Sequence, residues 1–181
     1  MRIIGGAWGG RQFHPPKLAP TRPTTDIAKE ALFNILQHRI DFASISFLDL
    51  FAGTGQITLE VASRGCTDLV AIDKFPKSVH FVRATLQTMG ADGATVLKGD
   101  VFRYLTHCDR TFDLVFAGPP YPLPNIPDIP RLVVDDGVLA PGGMLVLEHD
   151  PSHDFSTHPC FDRVKNYGQT HFSFFHQPEI S

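Results

Sequence analysis

Asp49, Gly53 and Gly55 are the residues in this chain whose types and spacing most plainly suit chemistry. In Phe47-Leu48-Asp49-Leu50-Phe51-Ala52-Gly53-Thr54-Gly55 a short apolar run carries an acidic residue into a glycine pair, and helix-compatible sequence follows from Gln56. The pattern reads as a buried parallel strand, a tight turn and a helix N-terminus, where open α/β sheets bind nucleotide-like ligands. Glycine lets the backbone come close to a ligand and adopt φ > 0. A dinucleotide fingerprint would carry a third glycine where Thr58 stands. Asp49 instead puts a carboxylate beside the ligand, which repels a pyrophosphate and suits a cationic amino acid bearing a sulfonium. The stretch therefore favours S-adenosylmethionine over a nicotinamide dinucleotide. The competing reading is a purely structural strand–turn–helix corner.

Further polar residues stand where other strands are expected to end. Asp73, with Lys74 beside it, closes the run Leu69-Val70-Ala71-Ile72. A carboxylate there can accept from both ribose hydroxyls, or it can cap the following helix. Asp100 follows Thr95-Val96-Leu97 and could accept from an adenine amino group, with Val101 and Phe102 over the ring; capping serves it equally well. Gly118-Pro119-Pro120-Tyr121 ends the run Phe112–Ala117 abruptly. Consecutive prolines make a loop without backbone N–H groups, leaving carbonyls free to accept, and Tyr121 offers a flat face on which a base can stack. An exocyclic amine is a poor nucleophile because its lone pair is conjugated into the ring. Acceptors aimed at its protons, with a methyl sulfonium in line, lower that barrier by orientation and electrostatics. A rigid proline turn capping a strand is the alternative.

These residues need elements to hold them, and the chain supplies an alternating series. Thr24-Thr25-Asp26 opens a helix in which Ile27, Ala31, Leu32, Ile35 and Leu36 share one face. Strands are expected at 46–50, 69–72, 95–97, 112–117 and 144–148, with helices over 56–64, 76–89, 101–105 and about 126–134. Alternation at this rhythm gives right-handed βαβ units and a mainly parallel sheet. Residues 161–167 and 171–175, joined around Gly168, read as an antiparallel hairpin.

At 181 residues the chain most simply makes one domain, with 1–22 as a short β arm or hairpin and 23–181 as the α/β core. No apolar run approaches the ~18 residues of a membrane helix, no signal peptide is visible, and three scattered cysteines lack metal-ligand spacing. A cytoplasmic protein with reduced thiols and no metal is expected. Net charge is −3, unevenly spread. Residues 1–30 hold five basic groups (Arg2, Arg11, Lys17, Arg22, Lys29) against Asp26 and Glu30, a balance of +3, and the remainder carries −6. A basic arm on an acidic body suggests that a polyanion is gripped through the arm, or that the arm is simply solvated.

Taken together, Arg22-Pro23-Thr24-Thr25-Asp26, Glu30-Ala31-Leu32-Phe33-Asn34, Leu48–Gly55 and Pro119-Pro120-Tyr121 resemble the bacterial RsmD family, which methylates guanine N2 in small-subunit ribosomal RNA. Met1-Arg2-Ile3-Ile4-Gly5-Gly6 and Tyr167-Gly168 resemble it as well, so the likeness spans nearly the whole chain. The resemblance implies a seven-stranded class I methyltransferase fold, Rossmann-like, whose last hairpin completes the sheet. It implies that Asp49, Phe51, Gly53 and Gly55, with Thr54 between them, line the methionine end of S-adenosylmethionine. Asp73 and Lys74 would lie at the ribose, and Asp100 and Val101 near the adenine. Gly118, Pro119, Pro120 and Tyr121 would form the catalytic loop. Arg2, Arg11, Arg22 and Thr24 would contact RNA of the small subunit or its assembly intermediate, with the protein acting as a monomer.

One position departs from the family pattern. The loop normally begins with Asp before Pro-Pro, and here that residue is Gly118. A hydrogen bond to a charged group is worth roughly 1.5–3 kcal/mol, so its loss slows transfer unless the Gly118 and Pro119 carbonyls suffice. Two other readings stand beside rRNA methylation: amino-methylation of another RNA or of DNA, and a catalytically weak RNA-binding or ribosome-assembly factor that keeps the fold.

Overall fold

The computed structural model describes residues 1–18 and 23–180. Seven strands form one sheet: β1 Ser46–Leu50, β2 Asp68–Asp73, β3 Ala94–Lys98, β4 Phe112–Ala117, β5 Leu139–His149, β6 Phe161–Tyr167 and β7 Thr170–His176. Their order is β3-β2-β1-β4-β5-β7-β6. The first five pair in parallel, and β7 runs antiparallel to both β5 and β6. Chain order turns back between β1 and β4, which opens a crevice at the carboxyl ends of those two strands.

Both faces of the sheet are covered, as the near-continuous apolar strands require. Alternation along β4 sends Leu114 and Phe116 to one apolar layer and Val115 and Ala117 to the other, which Phe112 joins across a register shift. Helices α1 Asp26–Leu36, α2 Gln56–Ser63 and α3 Pro76–Thr88 pack on the first face through Leu32, Phe33, Leu59, Val79 and Val82. Helix α4 Val101–His107 covers the second face, together with residues 129–134.

The helix expected over 126–134 forms as an unbroken but irregular run of helical turns and not as a regular α-helix. Ile126–Asp128 makes a short 3₁₀ turn and Arg131–Asp135 a single π-helical turn. Ile126, Ile129 and Leu132 do have helical spacing and are buried, but Pro127 and Pro130 remove the N–H groups that a continuous α-helix needs. The fifth strand is longer than the apolar run suggests, because pairing with β4 resumes before the Gly142-Gly143 irregularity, at Leu139 opposite Phe112.

The N-terminal arm folds back on itself. Ile3 N–H donates to the Arg11 carbonyl (3.0 Å) and Phe13 N–H to Met1 (2.8 Å), around one antiparallel bridge between Arg2 and Gln12. It is clamped to α2 by Glu60, whose carboxylate accepts from the N–H groups of Ile4 (2.8 Å) and Gly5 (2.9 Å). Lys29 and Arg64 flank the same carboxylate at 3.4 and 3.0 Å. Lys29 and Glu60 are fully buried. Lys29 therefore balances a charge inside the protein and adds nothing to the basic face. A Cβ on Gly6, whose φ is +77°, would come within 2.0 Å of the Ser63 carbonyl, so only glycine permits this docking.

Candidate functional site

The glycine turn leaves β1 with its backbone in unusual conformations. Phe51 (φ 63°), Gly53 (56°) and Gly55 (83°) all occupy the left-handed region, which costs a non-glycine residue about 1 kcal/mol or more. Surrounding bonds hold the turn: Ala52 N–H donates to Ile72 and Gly55 N–H to Ala52. The two glycines do different work. A Cβ on Gly53 would meet nothing closer than 3.9 Å, so this position faces open space. A Cβ on Gly55 would press on Val82 at 2.8 Å, so Gly55 serves the packing of α3 against the turn.

Asp49 lies beneath this turn, 1 % exposed. Thr58 Oγ1 donates to its Oδ2 at 2.5 Å, while Oδ1 has no hydrogen-bond partner among the described residues. Burial, with the charges of Asp73 and Glu148 added and the Thr58 bond opposing, pushes the Asp49 carboxyl up to about 7. A buried acceptor oxygen without a donor is costly, and a cationic ligand group would remove that cost. Thr58, absent from the fingerprint as a glycine, turns out to orient this carboxylate.

Asp73 ends β2 as expected. Its Oδ2 accepts from Gly53 N–H (2.8 Å) and its Oδ1 from Phe75 N–H (2.9 Å). It ties the glycine turn to the start of α3, and two bonds leave an ionised carboxylate further acceptor capacity. Lys74 is exposed, its ammonium 5.1 Å from the centre of the Phe75 ring. Asp100 caps α4 by accepting from Arg103 N–H (2.9 Å). Val101 points into the core. The Phe51 ring meets Phe102 edge-on at 6.0 Å. It thus neighbours Phe102, the residue expected over the adenine ring. Thr54 is half-buried in the turn.

The Gly118–Tyr121 loop stands next to this crevice, with Gly118 N–H donating to the Leu50 carbonyl (3.3 Å). The space where a family aspartate would project is filled: a Cβ on Gly118 would lie 2.9 Å from the ring of Phe116. A carboxylate is nevertheless close. Ala117 pairs with Leu147, so the next residue of β5, Glu148, lies alongside Gly118. Glu148 is 3 % exposed. Tyr121 donates its hydroxyl to Glu148 Oε2 (3.1 Å), and the Thr24 hydroxyl donates to Oε1. Sequence reasoning overlooked Glu148, although a signal existed: like Asp73, it is an acidic residue in the last positions of a buried strand.

The expected RNA contacts divide. Arg2 and Arg11 are exposed, and the Arg11 guanidinium lies 4.0 Å from the centre of the Trp8 ring. Thr24 is half-buried and turned toward Glu148. Arg22 lies outside the described residues. No helix among the described residues is long and apolar enough to cross a membrane.

Comparison with known proteins agrees with this architecture. The family model described as conserved hypothetical protein 95 matches residues 1–176. The ribosomal RNA small subunit methyltransferase D of Escherichia coli K12 is 30% identical over 178 residues, covering 97% of this chain and 89% of that protein. The solved structure of the Escherichia coli protein yhhF has a TM-score of 0.86 at 28% identity over 99% of both chains. A Thermus thermophilus 16S rRNA N2 methyltransferase, solved with AdoMet and guanosine, shares the fold alone. Its TM-score is 0.67 at 24% identity, over 85% of this chain and 44% of that one. Matched by the family model along nearly its whole length, the chain belongs to the conserved hypothetical protein 95 family, the RsmD family that its motifs resemble.

Proposed function

We propose that this protein transfers a methyl group from S-adenosylmethionine to the exocyclic N2 of a guanine in small-subunit ribosomal RNA. The observation that carries the proposal is the buried Asp49 Oδ1, with no donor among the described residues, beneath an open glycine turn and one strand away from the Pro-Pro-Tyr loop. Asp49 and Gly53 would hold the cationic methionine end, Asp73 the ribose, and Asp100 with the Phe51 and Phe102 rings the adenine end. The sulfonium supplies an electrophilic methyl group on a good leaving group. The chain supplies position: Tyr121 stacks on a base flipped from the RNA, and the Gly118 and Pro119 carbonyls accept from its amino group. The proton lost as the N–C bond forms leaves along that acceptor edge toward solvent.

The substrate assignment draws on family membership and on the Escherichia coli relative, a ribosomal RNA small subunit methyltransferase. The exposed Arg2 and Arg11 support a polyanionic partner. We take residues 1–181 as one domain, with the arm as its RNA-facing extension, acting as a monomer in the cytoplasm. Gly118 favours a second reading, a weak enzyme or assembly factor that binds RNA and cofactor with little transfer.

Transfer of labelled methyl from S-adenosylmethionine to small subunits lacking the modification, with naked rRNA and DNA in parallel, separates the two. Label recovered as N2-methylguanine in the rRNA is the expected result. A protein that binds the cofactor and labels none of the three substrates is the assembly factor.

A further inference from the structure

We propose that Glu148 is a positioning residue that fixes the Tyr121 ring and joins the catalytic loop to the segment following the N-terminal arm. The inference rests on the proposed transfer to a stacked base. Residues 119 and 120 are prolines and cannot tie the loop to the sheet through backbone N–H groups. Within the loop, Leu123 N–H donates to the Pro120 carbonyl (3.0 Å). The Tyr121 side chain is held to the sheet at its far end. That end meets Glu148 Oε2 at 3.1 Å, and the Thr170 hydroxyl lies 3.3 Å from the same phenol oxygen. Thr170 is 3 % exposed, like Glu148, so both anchors are inside the protein. Their own positions are set by the sheet: Glu148 pairs with Phe172 across β5 and β7, and Thr170 lies two residues further along β7, facing the same side.

The other carboxylate oxygen reaches a different part of the chain. Thr24 immediately precedes Thr25, which caps α1 by accepting from Ala28 N–H. One buried carboxylate thus accepts from the α1 entry and from the catalytic tyrosine, 124 and 27 residues away in sequence. A buried carboxylate is costly unless donors surround it, so docking of the Thr24 segment and orientation of the tyrosine reinforce one another. The wall on which the target base stacks is complete only when the segment leading from the arm is seated.

The test uses the full-length protein with Glu148→Gln, Tyr121→Phe and the double variant. Glutamine keeps the size but replaces one acceptor oxygen with a donor, so one hydroxyl loses its acceptor and must turn its own proton elsewhere. Each single variant should lower kcat for methyl transfer by about tenfold, with the dissociation constant for S-adenosylmethionine unchanged by calorimetry. The double variant should be no slower than the singles, because both break one link. Ring resonances of selectively ¹³C-labelled tyrosine give a readout independent of activity. The Tyr121 signal should broaden or shift in Glu148→Gln and in Thr24→Val, while those of Tyr104 and Tyr167 stay. Multiplying losses in the double variant, or an unchanged Tyr121 signal in Glu148→Gln, overturns the proposal. A wild-type protein that transfers no methyl group refutes the proposed function instead, and the ring signals still decide the positioning role.

Discussion

The two ends of the crevice are built differently. At the glycine turn, carboxylates at the ends of β1 and β2 act within their own neighbourhood: Asp49 takes Thr58, and Asp73 takes Gly53 and Phe75. All of these partners lie within about twenty residues of the carboxylate they serve. At the Pro-Pro-Tyr loop, the local carboxylate is missing, Phe116 occupies its space, and the nearest acid arrives from the adjacent strand with a partner at the other end of the chain. A site for an ammonium and a ribose needs fixed acceptors, which a strand end and a tight turn can place. A platform for a base borne on a large RNA has to be assembled where several distant segments meet. Under the proposed function, the cofactor end is thus prebuilt, whereas the base end depends on docking.

The sharpest way to break this contrast is to undock the arm. Glu60→Ala leaves Lys29 buried without its counter-charge and frees the Ile4 and Gly5 amides, which should cost about 3–5 kcal/mol. Chemical denaturation should show that loss, and amide exchange at Ile4 and Gly5 should quicken. RNA affinity should fall further than cofactor affinity. An equal fall in both would mean that the two ends are not separable.

Asp73→Ala should weaken S-adenosylmethionine binding by at least tenfold, since it removes the acceptor that holds Gly53 and the expected ribose contact. Unchanged calorimetric binding would retire Asp73 from the site. The pH dependence should identify Asp49. Its carboxyl stands near 7 in the free protein, and a cationic ligand binds the ionised form. Binding below that pH must expel a proton, so affinity should drop by about twentyfold between pH 7.5 and 5.5. Asp49→Asn should bind more weakly and show a flat profile. The sign for stability is opposite to that of a paired surface carboxylate. A pKa raised from 3.8 means that the folded state holds the proton longer, so this group opposes folding increasingly as pH rises from about 4 to 7, and the penalty is constant above that.

Gly118→Asp should have the smallest effect. The new Cβ must displace the Phe116 ring edge, costing about 1 kcal/mol as mild overpacking, while turnover per folded molecule is kept or raised. Adding Phe116→Leu should return the lost stability. A large loss of turnover in a folded Gly118→Asp would show that the loop uses another geometry for its amine acceptor.

Much of this architecture was legible in the sequence, for local reasons. The seven strands and the helices α1 to α4 follow from apolar runs, periodicity and glycine stops, each a matter of a few neighbouring residues. The irregular helix over 126–135 shows where that reasoning stops: apolar spacing marked a buried helical segment correctly, but two prolines kept it from being a regular α-helix. Lys29 shows a second limit, because composition counts a charge without knowing that Glu60 has drawn it inside. Phe51 shows a third, since neither its left-handed backbone nor its ring contact with Phe102 is marked by any spacing in the chain.

What the sequence alone determined was the glycine turn, its carboxylate and the proline loop, because positive φ, a buried strand end and absent N–H groups are written in adjacent residues. What only the tertiary structure decided was the surroundings of each: the orphaned oxygen of Asp49, the ring that fills the space above Gly118, and the Glu148 carboxylate between Thr24 and Tyr121. The physical reason is sheet order. With β4 placed between β1 and β5, and β7 inserted beside β5, residues more than a hundred positions apart come within hydrogen-bonding distance, and no spacing along the chain records that closure.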